Sequence, residues 1–149
     1  MTTPLEKLAA TVDAWLLTLD ADTDVTDEGF WTLRYGSTLL VLSSFEHENV
    51  TYLRMGAVVL SGAHPSLEVV LRLLRLNAQV LFGSFQLFDD DTIAFTHTLP
   101  ADGLTFEAFS SALTYVSRVG DDHDEELQSL AGGRRGEDML AIAQERARG

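Results

Sequence analysis

The spacing of apolar residues switches repeatedly between two periods along this chain, and no other feature constrains its fold as strongly. Leu5, Leu8, Val12, Trp15, Leu16 and Leu19 recur at three-and-four spacing, the stripe of a helix that turns one side to a core. Thr3-Pro4-Leu5-Glu6 ahead of them reads as a capping box with proline at the first helical position. Residues 20–29 form an acidic loop. From residue 30 the pattern breaks into short runs rich in Thr, Val, Leu and aromatics, at 30–35, 38–45 and 50–60, which predict three strands. Gly36-Ser37 suits a two-residue hairpin and Glu46-His47-Glu48-Asn49 a longer polar turn, so the three strands form an antiparallel meander.

Helical spacing returns after His64-Pro65-Ser66 and runs from Leu67 to about Val80. A second hairpin, 82–88 with 92–98, turns at Asp89-Asp90-Asp91 and points Phe85, Leu87, Ile93 and Phe95 to one face. A last helix from Thr105 carries Phe106, Phe109, Leu113, Val116, Leu127 and Leu130 on one stripe, bent or interrupted near Gly120. The expected class is α+β, an antiparallel sheet packed with helices in the order α-β-β-β-α-β-β-α. One domain spans residues 1–131. Residues 132–149, opening with Gly-Gly-Arg-Arg-Gly, read as a mobile charged tail with at most a brief helix around Met139 to Ile142.

The second helix carries more apolar surface than one sheet can bury. At about 100° per residue, Glu68, Arg72, Arg75 and Gln79 share a narrow arc while apolar residues cover roughly 220°. Leu67, Val70, Leu71 and Leu74 are expected to face the sheet, leaving Val69, Leu73, Leu76 and Val80 as a row that pairs with a second copy of the chain. Residues 39–42 and 57–60 are apolar on both strand faces, which predicts that something other than solvent covers part of the second face. Leu40, Leu42, Val58 and Leu60 are the candidates for contacting a partner there.

The 149 residues are enough for one domain to bury roughly 70% of its unfolded surface, so no staple is required. None is available from cysteine, since there is none, and thiol catalysis and Cys-zinc sites fall with it. Net charge is −13, and the residues up to Ala131 hold 6 basic and 20 acidic side chains. Such a field repels phosphate backbones and anionic lipid, which argues against direct nucleic-acid or membrane binding and permits a basic protein partner. No apolar run approaches the length of a bilayer span and no export signal is visible, so a cytoplasmic location is expected.

Three acidic clusters invite a metal or catalytic reading. Asp20, Asp22 and Asp24 match the first ligand positions of a calcium loop, but Val25 stands where its glycine belongs and Trp31 where its bidentate glutamate belongs. Asp89, Asp90 and Asp91 are consecutive and suit a turn. His123 lies near the apolar stripe of the last helix while Asp121, Asp122, Asp124, Glu125 and Glu126 scatter around it, and the four histidines fall in separate elements. No nucleophile elbow, phosphate loop or zinc-protease motif occurs. These residues predict no cofactor, no metal and no catalytic group; the rival reading is a small-ligand or metal-dependent enzyme using the carboxylates around His123.

The order of elements, together with Leu73-Leu74-Arg75-Leu76-Asn77 leading into Phe82-Gly83-Ser84-Phe85-Gln86-Leu87, and Ala112-Leu113-Thr114-Tyr115-Val116 leading on to Asp124-Glu125-Glu126-Leu127, resembles the YbjN family, whose fold is shared with the type III secretion chaperones. The resemblance implies an acidic homodimer that captures segments of other proteins as a chaperone-like or adaptor module, without enzymatic activity.

Overall fold

The computed structural model describes residues 1–27, 29–136 and 138. Helix α1 (Pro4–Thr18) starts as expected: the Thr3 hydroxyl accepts from the Glu6 amide at 3.1 Å, with proline just inside the cap. Strands β2 (Trp31–Tyr35), β3 (Thr38–His47) and β4 (Val50–Ser61) form the antiparallel meander. The β3–β4 connection is tighter than the expected four residues. His47 pairs with Val50, and the two residues between them, Glu48 and Asn49, both take positive φ, which matches the right-handed twist of the flanking strands.

Helix α2 (Leu67–Asn77) is capped by Ser66, whose hydroxyl accepts from the Val69 amide. Strands β5 (Ser84–Leu87) and β6 (Ile93–Pro100) follow, then helix α3 (Phe106–Ala131). At the Asp89-Asp90-Asp91 turn, Asp91 takes positive φ and the Asp90 carboxylate accepts from the Thr92 amide.

Two short strands extend the expected set. β1 (Asp22–Val25) lies inside the segment expected to be an acidic loop and pairs with β2, while β7 (Arg134–Arg135) pairs with the end of β4 at Leu60 and Ser61. Asp-rich sequence has low strand propensity, yet acidic side chains suit an edge. The sheet is antiparallel throughout, in the order β1-β2-β3-β4-β6-β5 with β7 beside β4. Residues 132–135, which the expected tail included, are tied to the domain by β7 and by two hydrogen bonds, the Gly132 amide donating to the Gln128 carbonyl and the Gln128 side chain to the Gly133 carbonyl. The brief helix expected around Met139 to Ile142 lies outside the described residues.

The helices pack against one face, and the core between them and the sheet includes Leu33, Leu40, Leu42, Leu53, Met55, Phe95, Phe109 and Leu113. Helix α3 runs without interruption through Gly120, where an interruption or a bend was expected. Gly120 serves close approach instead, because a Cβ there would stand 2.9 Å from the Ala57 Cβ on β4.

Edge strand β5 is closed by a side chain. The Asn77 amide at the end of α2 donates to the Phe85 carbonyl at 3.3 Å and its oxygen accepts from the Phe85 amide at 2.6 Å, as a neighbouring strand would. Asn77→Ala removes both partners of a partly buried backbone step. It is expected to lower stability by about 1–3 kcal/mol, read from the urea midpoint; an unchanged midpoint would mean that water replaces the amide.

Candidate functional site

Helical spacing places Pro4, Lys7, Leu8, Thr11 and Trp15 along one side of α1, where they form a wall of an open groove. The opposite wall is the β3–β4 turn and the start of β4, through Asn49, Val50 and Thr51; Ala101, Asp102 and Leu104 of the loop after β6 complete it. The groove measures about 510 Å³. The Ala101 amide donates to the Thr51 carbonyl at 2.9 Å, which ties the loop to the strand. Trp15 is held by Phe109 and Phe106, at ring-centroid distances of 5.0 and 6.2 Å. The lining is mostly apolar, with Lys7 and Asp102 its only charged residues. Such a surface binds apolar side chains and offers one cation and one anion for orientation; it holds no histidine and no carboxylate pair for proton transfer. Sequence reasoning assigned Leu8 and Trp15 to the core stripe and missed the groove, whose other wall comes from residues about forty to a hundred positions away.

A second, smaller cleft of about 280 Å³ lies between the β2–β3 turn and α3. Its hydroxyls are occupied within the protein: the Tyr35 hydroxyl bonds Thr114 at 2.9 Å, Ser117 donates to the Tyr35 carbonyl, and Ser37 donates to Asp121.

The carboxylates around His123 do not converge. Glu126 is held by Arg72 of α2, a hydrogen bond that keeps its carboxyl below the usual glutamate range, while Glu125 reaches Arg135 at 3.4 Å. The His123 Nδ1 is buried and 3.6 Å from Glu126 Oε2, a contact rather than a hydrogen bond, and its ring stands edge-on to Phe85. Asp122 is exposed and Asp124 buried. Asp22 and Asp24 of the calcium-like segment lie along strand β1 rather than around a loop. Among the described residues no three His, Asp or Glu side chains are grouped so as to hold a metal ion. His97, its ring centroid 4.3 Å from that of Phe82 at a tilt of 35°, has its pKa lowered by burial.

The two apolar rows of α2 sit the opposite way round from the expectation. Val69, Leu73 and Leu76 belong to the core, Leu73 only 6% exposed, and Val80 packs partly buried against it. Leu67, Val70, Leu71 and Leu74 face outward instead, with Leu67 74% and Leu74 62% exposed, and Leu81 beyond the helix end is 81% exposed. The reason is tertiary. Arg72 reaches across to Glu126 of α3, and Val69 and Leu76, one turn either side of it, lie with Leu73 on the packed side of the helix. The sheet candidates divide similarly. Leu40, Leu42 and Leu60 are fully buried under the helices, and only Val58 points to the other face, with Leu39 and Val41 beside it. A β-bulge between Val58 and Leu60 breaks the alternation that would have kept those two together.

A family model described as TY-Chap1, T3SS (YopN, CesT) and YbjN peptide-binding chaperone 1, matches residues 6–139. The crystal structure of YbjN from E. coli superimposes with a TM-score of 0.58 at 17% sequence identity, covering 79% of this chain and 92% of that one. The two thus share a fold. The curated proteins include none that matches. Among the described residues no helix is long and apolar enough to cross a membrane.

Proposed function

The chain belongs to the family of T3SS (YopN, CesT) and YbjN peptide-binding chaperones 1, and on that premise we propose that it is a non-enzymatic cytoplasmic module whose groove between α1 and the start of β4 captures a segment of another protein. The observation that carries this reading is the groove itself: open, mostly apolar, and backed by the contact of Trp15 with Phe109. An extended segment with one or two apolar side chains fits that lining. The acidic body favours a basic partner and slows encounter with acidic ones.

The working unit is a homodimer. Leu67, Val70, Leu71 and Leu74 form an exposed row down the outside of α2, a surface that soluble monomers seldom leave uncovered, and a twofold contact buries the row against its own copy.

A peptide-display library panned against the full chain tests the groove. Segments bearing apolar anchors are expected to be enriched, and Thr11→Trp, which fills the groove from α1, should weaken them at least about tenfold, roughly 1.4 kcal/mol, with the melting midpoint unchanged. Binding that survives Thr11→Trp in a folded protein would move the site elsewhere; a library without enrichment would remove the peptide-binding reading.

A further inference from the structure

The sheet face turned away from the helices is apolar at its centre. Leu39 and Val58 point to it, since their neighbours Thr38, Ala57 and Val59 all lie within 4.0 Å of a Cβ built at Gly120 on α3, on the helix side. Val41 lies two residues along β3, and Ala94 stands directly across from Val58 in register. None of the described helices lies on this face. Yet Ala94 and Thr96, which point to it, are only 5% and 7% exposed, and Leu39, Val41 and Val58 are half-buried.

The chain itself arrives at this patch. Strand β7 runs antiparallel along β4 and delivers Gly136 onto Val58 and Leu39: a Cβ there would overlap the Val58 carbonyl oxygen and touch the Leu39 Cβ. Gly133 is equally close to the Ser61 carbonyl oxygen, 2.6 Å from a built Cβ, so the approach needs two glycines. Gly136 and Asp138 already have helical conformation, and Arg135 fixes the turn by pairing with Asp138 at 3.1 Å and Glu125 at 3.4 Å. Beyond Asp138 come Met139, Leu140, Ala141, Ile142 and Ala143, an unbroken apolar stretch, and then a charged end.

We propose that this C-terminal segment, Met139 to Ala143, is the occupant of the helix-free face and covers Leu39, Val41 and Val58 within the same molecule. Its length fits. As a helix, residues 139–143 would span about 7.5 Å, enough to lie across the neighbouring strands β3 and β4, about 4.8 Å apart. The inference is independent of the groove.

Methyl NMR on the full chain tests it. Cross-relaxation is expected between the methyl groups of Met139 or Ile142 and those of Leu39, Val41 or Val58, and it should vanish in a mixed sample where only contacts between differently labelled copies are seen. Truncation after Asp138, which keeps β7, should shift those three residues' methyls and raise binding of an apolar dye about twofold or more. Contacts only between copies would assign the face to a second molecule and overturn the proposal. Absence of contacts, with methyl shifts untouched by truncation, would overturn it as well.

Discussion

Leu73→Glu is expected to abolish the cooperative unfolding transition, whereas the same substitution one residue later, at Leu74, leaves the domain folded and separates the proposed dimer. Leu73 is 6% exposed and Leu74 62%. At Leu73 the change removes a packed side chain and buries an unpaired carboxylate. Large-to-small core changes alone cost about 2–5 kcal/mol, and a stranded charge adds several more, against a total stability of about 5–15 kcal/mol. At Leu74 the carboxylate meets water in the monomer and meets its own copy in the dimer. Circular dichroism melts separate the folding outcomes, and sedimentation at micromolar concentration reads the association. A folded Leu73→Glu protein would contradict the assignment of α2's inner row; a Leu74→Glu dimer, or a wild-type monomer, would remove the outer row from the interface.

The second large effect is at Gly120. In an exposed helix, replacing glycine with alanine gains about 1 kcal/mol; here the added Cβ would stand 2.9 Å from the Ala57 Cβ, so the sign reverses. Gly120→Val adds two further methyl groups at the same point. It is expected to lower stability by about 3 kcal/mol, the upper end of the range for overpacking, seen as a lower urea midpoint with the slope unchanged. Gly120→Ala should lose less, and Ala57→Gly in the same chain should restore part of that loss. An unchanged midpoint in Gly120→Val would show that α3 can lift off the sheet freely.

The elements that local chemistry specifies were readable from the residues. Thr3 and Ser66 mark helix starts with hydroxyl caps, and Gly36-Ser37 closes the β2–β3 hairpin, with Tyr35 paired to Thr38. The family resemblance rested on order and pattern and agrees with the match over residues 6–139. What depends on distant residues was not readable. Both rows of α2 are apolar enough to be buried, and the contacts that orient the helix come from elsewhere in the chain: Arg72 pairs with Glu126 of α3 and Asn77 with Phe85 of β5. Strand parity failed for a similar reason: in β3 both Leu39 and Leu40 are plausible core residues, and the bulge after Val58 shifts Leu60 to the other side. Gly120 read as a helix breaker because its partner, Ala57, is more than sixty residues away. The groove could not be seen from α1 alone, since its lining is shared among three separated segments.

Closing one edge of the sheet with Asn77 also limits how copies can join through their backbones. A sheet with two open edges can add strands at both, and identical molecules then continue into a filament. Here β5 has its outward step at Phe85 occupied, while β1 at the other end of the sheet carries Asp22 and Asp24. Molecules that can meet only through one like-charged edge form at most a closed pair. Joined by strands alone, this acidic chain is thereby steered toward closed pairs rather than filaments.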